Sequence, residues 1–271
     1  MPSILITGIS SGMGRACADL YARRGWHVTG TVRDASRRPE GLADSVSLES
    51  LDLSAPGAAS AAGERVLERS GCPDVLLNNA GMLLFGALED VTAETLELIF
   101  QVNLFGQLEL IRALLPAMRE RGSGTIANVT SLGGTMTFPF FGAYNSTKWA
   151  LEGASEGLWH ELQPFGIRVK AIQPGFVETA IWGKALPDLG GGDGIYEPYL
   201  RAMRQFEATI TKRTTPKAAA VEIAAAIADR GDRLRYPVAA YARPMVRARR
   251  LLGAQRFMRF FHRRWMGSSP G

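Results

Sequence analysis

Along the chain, short aliphatic and β-branched runs alternate with longer stretches whose apolar positions recur at helical spacing. The short runs fall at residues 3–7, 27–32, 46–52, 74–78, 124–130, 168–173 and 234–238. They are read as strands buried on both faces. Between them, helical patterns cover residues 12–24, 56–70, 93–120, 144–163 and 216–229. Strand–helix alternation of this kind predicts an α/β fold: one doubly wound, mainly parallel seven-stranded sheet with helices on both faces. Residues 1–240 are expected to form that domain, with 176–215 as a substrate loop and 241–271 as an extension. Ligands of such sheets bind at the carboxyl ends of the strands, which directs the search for chemistry.

Composition narrows the class. A chain of 271 residues, 46% hydrophobic and 21% charged, reads as an ordinary soluble globular protein. No uninterrupted apolar run approaches the ~18 residues of a membrane span, and with the first strand starting at once, without a basic segment followed by an apolar core, secretion is not expected. Two cysteines, Cys17 and Cys72, make neither a disulfide framework nor a metal site. A reduced, cytoplasmic setting is therefore expected.

The turn after the first strand reads "TGISSGMG", residues 7–14, and fits two motifs. Gly8-Ile9-Ser10-Ser11-Gly12 matches the G-x-S-x-G elbow of serine hydrolases. Gly8, Gly12 and Gly14 also make a glycine-rich turn that can hold a pyrophosphate at a helix N-terminus. The elbow reading lacks partners. It follows the very first strand, and none of His27, His160 and His262 lies in an evident loop at a strand's carboxyl end. The nucleotide reading accounts for every glycine, with a tight turn at Gly8, close backbone approach at Gly12 and helix–strand packing at Gly14.

A second constellation lies in "AYNSTK", where Tyr144 and Lys148 stand four apart at the start of a predicted helix and share a face. A neighbouring ammonium is expected to lower the phenol's pKa from about 10 and make Tyr144 a general acid/base. Ser131 ends the strand "GTIANVTS", where its hydroxyl can meet a substrate carbonyl.

At these residues the sequence resembles the short-chain dehydrogenase/reductases, and "TVRD" at 31–34 with the stretch from residue 234 onward resembles that family's hydroxysteroid and retinol dehydrogenase branch. The turn carries the family's T-G-x3-G-x-G through Gly8, Ser10, Ser11, Gly12, Met13 and Gly14. "LDL" supplies Asp52 and Leu53 for the adenine, and "NNAG" supplies Asn79, Ala80 and Gly81. "QPGFVET" supplies Pro174, Gly175, Val177 and Thr179 on the nicotinamide side. Ser131, Tyr144, Lys148 and Asn103 match the catalytic positions. The resemblance implies a Rossmann-type fold and hydride transfer at nicotinamide C4. It implies that Tyr144 moves a proton at the carbonyl oxygen, Ser131 orients that oxygen, and Lys148 bonds the ribose and depresses the Tyr144 pKa. Asn103 is expected to anchor a water between Lys148 and solvent. A regulator that senses NADP(H) without turnover is the alternative; an intact Ser–Tyr–Lys set weighs against it.

Strand two ends at Val32, with Arg33 next and Asp34 after it. A guanidinium there suits the 2′-phosphate of NADP(H), whereas a carboxylate would grip the free ribose of NAD. "TFPFFGAY" places Phe138, Phe140 and Phe141 near Tyr144, and Trp182 and Tyr196 add aromatic area. With "LGGGDG" at 189–194 as hinges, these predict a site for a bulky apolar carbonyl or alcohol.

Charge is unevenly placed. From Arg230 onward there are eleven Arg and one acid, net +10, while residues 1–229 are net −5. Leu251, Leu252, Phe257, Phe260, Phe261 and Trp265 alternate with those arginines. The pattern predicts an amphipathic helix that packs its apolar stripe near the substrate loop, with weak membrane-surface contact as the other use. No nucleic-acid motif accompanies the charge. Small residues Gly153, Ala154 and Gly157 permit close helix approach, and the resemblance implies a homodimer or homotetramer.

Overall fold

The computed structural model describes residues 1–179, 194–201 and 210–265. Seven strands form one sheet: β1 Ser3–Ile6, β2 His27–Val32, β3 Val46–Ser50, β4 Val75–Asn78, β5 Gly124–Val129, β6 Ile167–Pro174 and β7 Arg235–Val238. Their order is β3-β2-β1-β4-β5-β6-β7, and every neighbouring pair is parallel. The chain first builds outward from β1 to β3 and then returns to β4, so the order reverses between β1 and β4. Loops there diverge to opposite faces and leave a crevice at the carboxyl ends.

Side chains of successive strand residues point to opposite faces, and both faces are buried. Ile4, Ile6 and Leu77 join a core under α1 (Gly12–Arg23) with residues such as Cys17 and Ile223. Leu5, Leu76 and Ile126 join the other core, under α2 (Ala58–Ser70) and its neighbours. Coverage is complete on the central strands β4 and β5, whereas β3 keeps Ser47 and Ser50 exposed at the edge of the sheet.

The stretch expected as one helix over 93–120 is α3 (Ala93–Phe100), a π-helical turn at Gln101–Phe105, and α4 (Gly106–Arg121). One residue is accommodated without a break, which turns Asn103 inward. By length and composition Ala93–Arg121 is apolar enough to cross a membrane. That differs from the expectation drawn from uninterrupted apolar runs, because a mean hydropathy tolerates scattered polar positions. In the fold, Leu110, Leu114 and Met118 of this stretch are buried against the sheet.

The helix α5 (Gly142–Leu162) follows β5, and α6 (Pro216–Ala228) packs beside α1. The amphipathic extension is two helices, α7 (Ala242–Leu252) and α8 (Ala254–Trp265), divided at Gly253 with φ +74°. Phe257 and Ala242 are buried with Leu132 and Met136, so the extension lies against the loop after β5.

Candidate active site

The first turn of α1 is open to a ligand. Ser11 precedes the helix in extended conformation, its side chain makes no cap, and no acid lies in the first turn. Ser10 and Ser11 are exposed, while Met13 leans on the core. The amide N–H groups at this end and the positive end of the helix macrodipole face the crevice. A side chain at Gly14 would put its Cβ 2.3 Å from both the Gly8 carbonyl oxygen and Asn79 Nδ2. The helix can therefore start this close to the β1 turn and the β4 loop only with glycine at that position. Gly8 takes φ +72°, and its would-be Cβ lies 2.9 Å from the Ala80 Cβ.

The two loops are stitched to each other. Thr7 Oγ1 accepts from the amides of Asn79 and Ala80, both at 2.9 Å, and Asn79 Nδ2 donates to the carbonyls of Thr7 (2.9 Å) and Gly8 (3.3 Å). From the far side, Thr179 brings its Cγ2 within 3.3 Å of a would-be Gly12 Cβ. The segment carrying Pro174, Gly175 and Val177 thus ends over the glycine turn. An uncapped helix start, exposed serines and small residues fit the phosphates of a dinucleotide.

At the nucleoside end, Arg33 is exposed at the carboxyl end of β2 and has no hydrogen bond or ion pair among the described residues. Asp34 is occupied by its own turn. Its Oδ1 accepts from Ser36 Oγ (2.6 Å) and N (3.0 Å), and its Oδ2 meets Arg37 at 3.4 Å. Asp52 accepts from Ser54 Oγ and N at 2.7 and 3.0 Å. Those bonds, and then Arg33, hold its carboxyl below the usual range. Leu53 is buried beside it.

Tyr144 sits in the first turn of α5 and Lys148 one turn on. Ser131 Oγ accepts from the Gly133 amide at 2.9 Å, and its hydroxyl stands near enough to the Tyr144 phenol to pull its pKa down. Serine and tyrosine are therefore brought together as expected. The expected electrostatics differ. Burial raises the Tyr144 phenol above its ordinary value, and the Ser131 hydroxyl only partly offsets this. Lys148 Nζ lies 6.0 Å from the Tyr144 ring centre and donates to the Val129 carbonyl at 3.0 Å. Burial also lowers Lys148 to about 8, with Glu152 pulling it upward. A buried ammonium that spends its donor on β5 does not carry the phenol down.

Asn103 spends its side chain on protein groups. Its Oδ1 accepts from the Met82 amide (2.8 Å), and its Nδ2 donates to the Met82 carbonyl (2.9 Å) and to Thr147 Oγ1 (3.1 Å). The side chain is committed to protein groups and ties the β4 loop to α5. Thr147 in turn donates to the Tyr144 carbonyl at 2.7 Å. Gly81 sits between: its would-be Cβ is 3.1 Å from Asn103 Oδ1 and 3.6 Å from Lys148 Nζ.

Three residues escaped sequence reasoning. Thr147 links Asn103 to the tyrosine turn. Asn145, inside "AYNSTK", is 1% exposed, and neither side-chain polar atom has a hydrogen-bond partner among the described residues. Phe85 packs on Phe141 (centroids 5.0 Å) and Phe140 (6.2 Å), and Phe140 reaches Tyr196 at 5.9 Å. The aromatic wall is thus built partly from the β4 loop, where "GMLLFG" was the available signal. Phe138 meets Phe261 of α8 at 6.2 Å. Trp182 and the hinge glycines at 190–192 lie outside the described residues.

The hydrolase motif finds no partner in the fold. His27 opens β2 at the sheet's amino end, His160 is in the last turn of α5, and His262 is exposed on α8.

A family model described as short chain dehydrogenase matches residues 2–190. The chain belongs to this family. It is an oxidoreductase with the family's Rossmann-type fold, of a class that binds NAD(P)(H) and acts on CH–OH groups. Among curated relatives, a 3-ketodihydrosphingosine reductase of Bacteroides thetaiotaomicron is 37% identical over 206 residues, covering 75% of each chain. A short-chain dehydrogenase of Streptomyces avermitilis superposes with TM-score 0.82 at 36% identity, over 93% of this chain and 96% of that one. A short-chain dehydrogenase of Sphingobium yanoikuyae in complex with NADPH superposes with TM-score 0.71 at 28% identity, over 93% and 95%. Other similar structures include an NADH complex.

Proposed function

We propose that this protein interconverts a bulky apolar ketone or aldehyde and its alcohol with NADP(H), using Ser131, Tyr144 and Lys148. The observation that carries the reading is the meeting of Ser131 and Tyr144, with Lys148 one turn behind on the Val129 carbonyl, at the carboxyl ends of the strands that also hold the uncapped α1 terminus. NADP(H), when bound, supplies or accepts the hydride. Tyr144 Oη gives a proton to the carbonyl oxygen in reduction and takes it back in oxidation. Ser131 Oγ orients the same oxygen. Lys148 Nζ, which donates to the Val129 carbonyl, would hold the nicotinamide ribose of a bound dinucleotide and from there would favour the phenolate. Asn103 and Thr147 hold the tyrosine turn against the β4 loop.

Two features support NADP(H) over NAD. Arg33 is exposed where a 2′-phosphate would lie, and Asp34 already serves Ser36 and Arg37. The aromatic wall of Phe85, Phe140, Phe141 and Tyr196 supports an apolar substrate. So does the keto compound in the name of the Bacteroides relative.

The same proposal extends to assembly and setting. The α5 face with Gly153, Ala154 and Gly157 is free of close packing at Gly153 and suits a homodimer or homotetramer in the cytoplasm. Arg249 of α7 stacks on Trp149 at 5.7 Å, so the extension borders that face. Phe257 and Phe261 pack inward, leaving Arg256, Arg259 and Phe260 outward for weak contact with an anionic membrane surface. Sedimentation with anionic and neutral vesicles reads that last point directly.

The primary test is oxidation of NADPH and NADH in the presence of bulky apolar ketones, followed by loss of reduced-nicotinamide absorbance. Turnover with NADPH preferred is the expected result. Tight NADPH binding without turnover on any ketone would move the reading to a sensing regulator. Preference for NADH would give the ribose to Asp34.

A further inference from the structure

Glu152 stands one turn beyond Lys148 on α5 and is 4% exposed. Its carboxylate is shared among three strand ends. Oε1 accepts from Thr130 Oγ1 at 2.6 Å and from Gln173 Nε2 at 3.0 Å, and Oε2 accepts from Arg235 Nε at 2.9 Å. Each partner adjoins a piece of the site. Thr130 directly precedes Ser131, and Gln173 directly precedes Pro174 and Gly175. Arg235 opens β7, the strand that pairs with β6 through this region. Gly134 makes the approach possible, because a Cβ there would stand 2.9 Å from both Glu152 Cγ and the Lys148 carbonyl oxygen.

We infer that Glu152 is a positioning residue. One buried carboxylate fixes the Ser131 strand end, the Pro174–Gly175 strand end and the Lys148 turn of α5 relative to one another, and stands one helical turn from Lys148. A structural hydrogen-bond hub could be built from a neutral amide. A carboxylate at this depth is retained with a cation on each side, Arg235 outward and Lys148 one turn away.

The charged and titratable groups around the pair are few. Lys148 faces Tyr144 and Glu152 from its own helix, the Val129 carbonyl from β5, and the neutral Asn103 and Gly81 from the other side. Glu152 faces Arg235, which also pairs with Glu156 on the exposed side of α5. Glu152 is the group that raises Lys148 against the opposing effect of burial.

The inference rests on the proposed function only in taking Lys148 as a site residue, and its test needs no turnover. The chain has five lysines, so selective labelling of lysine Cε gives a few resonances, and the one missing in Lys148→Met is assigned. Its titration is followed in the intact chain without dinucleotide or ketone. Glu152→Gln is expected to lower the Lys148 midpoint by about one pH unit. Arg235→Gln, at a half-exposed site that keeps the fold if Glu152→Gln does not, is expected to raise it by a few tenths, since the carboxylate then acts on Lys148 uncompensated. Shifts of opposite sign support the inference. Shifts of the same sign, or an unmoved midpoint in both variants, overturn it, because a purely structural hub loosens the site alike in either variant. A wild type whose Lys148 behaves as expected but which reduces no ketone would count against the proposed function and leave Glu152 in place.

Discussion

The two halves of the crevice are made differently. On the β1–β4 side, the cradle is backbone: Gly8 and Gly14 admit close approach, and Thr7 and Asn79 saturate one another's polar groups at 2.9–3.3 Å. On the β5–α5 side, the site is made of side chains that the fold holds at some expense. Lys148 is buried with its pKa depressed, Tyr144 is raised, and Asn145 has neither polar atom partnered among the described residues. The first half contributes to folding simply by being in place. In the proposed function, the second gives up stability so that groups of unusual basicity meet a substrate. Substitutions should therefore separate the halves: loss of chemistry without loss of fold on one side, loss of both together on the other.

Tyr144→Phe probes the contrast at its sharpest. Removing Oη deletes the proposed proton donor while the ring keeps its place. Ketone turnover is expected to fall by about 10²–10⁴. The melting temperature should change by only a degree or two, since a hydroxyl beside Ser131 contributes about 1 kcal/mol at most. A comparable fall in melting temperature would mean that this half is as structural as the other.

Lys148→Met takes the argument further, because here activity and stability should move in opposite directions. Lys148 titrates near 8 in the folded chain against 10.5 for its ordinary value. Between those values the unfolded chain binds the extra proton, so the wild type gains stability as pH rises from about 8 towards 10.5. Below 8 the full burden of the buried ammonium is present, on the order of 3 kcal/mol before its bond to Val129 is counted. The methionine variant should lose turnover yet melt higher than wild type at neutral pH. Its advantage should shrink as pH approaches 10. Melting curves at four or five pH values check the sign.

What could be read from sequence follows the same division. The glycine turn was legible because positive φ and a missing Cβ are demands that only one residue type meets. The strands were legible as short β-rich apolar runs set between stretches of helical spacing. Ser131, Tyr144 and Lys148 were placed by resemblance, and the fold brings Ser131 to Tyr144. Direction was not legible. That Lys148 points to Val129, or that Asn103 spends its amide on Met82 and Thr147, depends on which loop lands beside α5. The division of the extension at Gly253 and the aromatic contribution of Phe85 depend likewise on tertiary contacts. Glu152 looked like any polar residue on a helix until three strand ends converged on it.

Gly14→Ala tests the backbone half. The added methyl must displace the Gly8 carbonyl and the Asn79 amide, each 2.3 Å from where it would sit. Overpacking of this kind costs about 1–3 kcal/mol. It also opens the start of α1, so NADPH affinity and melting temperature should fall together. Wild-type melting with weakened binding would show that the cradle, too, carries strain for function.

Arg33→Ala should give the smallest change and the cleanest reading of the nucleoside end. Arg33 makes no hydrogen bond or ion pair among the described residues, so its loss should leave melting unaltered. A guanidinium on a phosphate dianion is worth about 1.5–3 kcal/mol, which predicts a loss of roughly tenfold or more in NADPH affinity with NADH unaffected. The ratio of the two KM values is the measurement, and its salt dependence sharpens it, because an exposed charge pair weakens as ionic strength rises. An unchanged ratio would mean that Arg33 is a solvated loop charge. The backbone half would then bind both dinucleotides alike, with Asp34 still held by Ser36 and Arg37 and unavailable to choose between them.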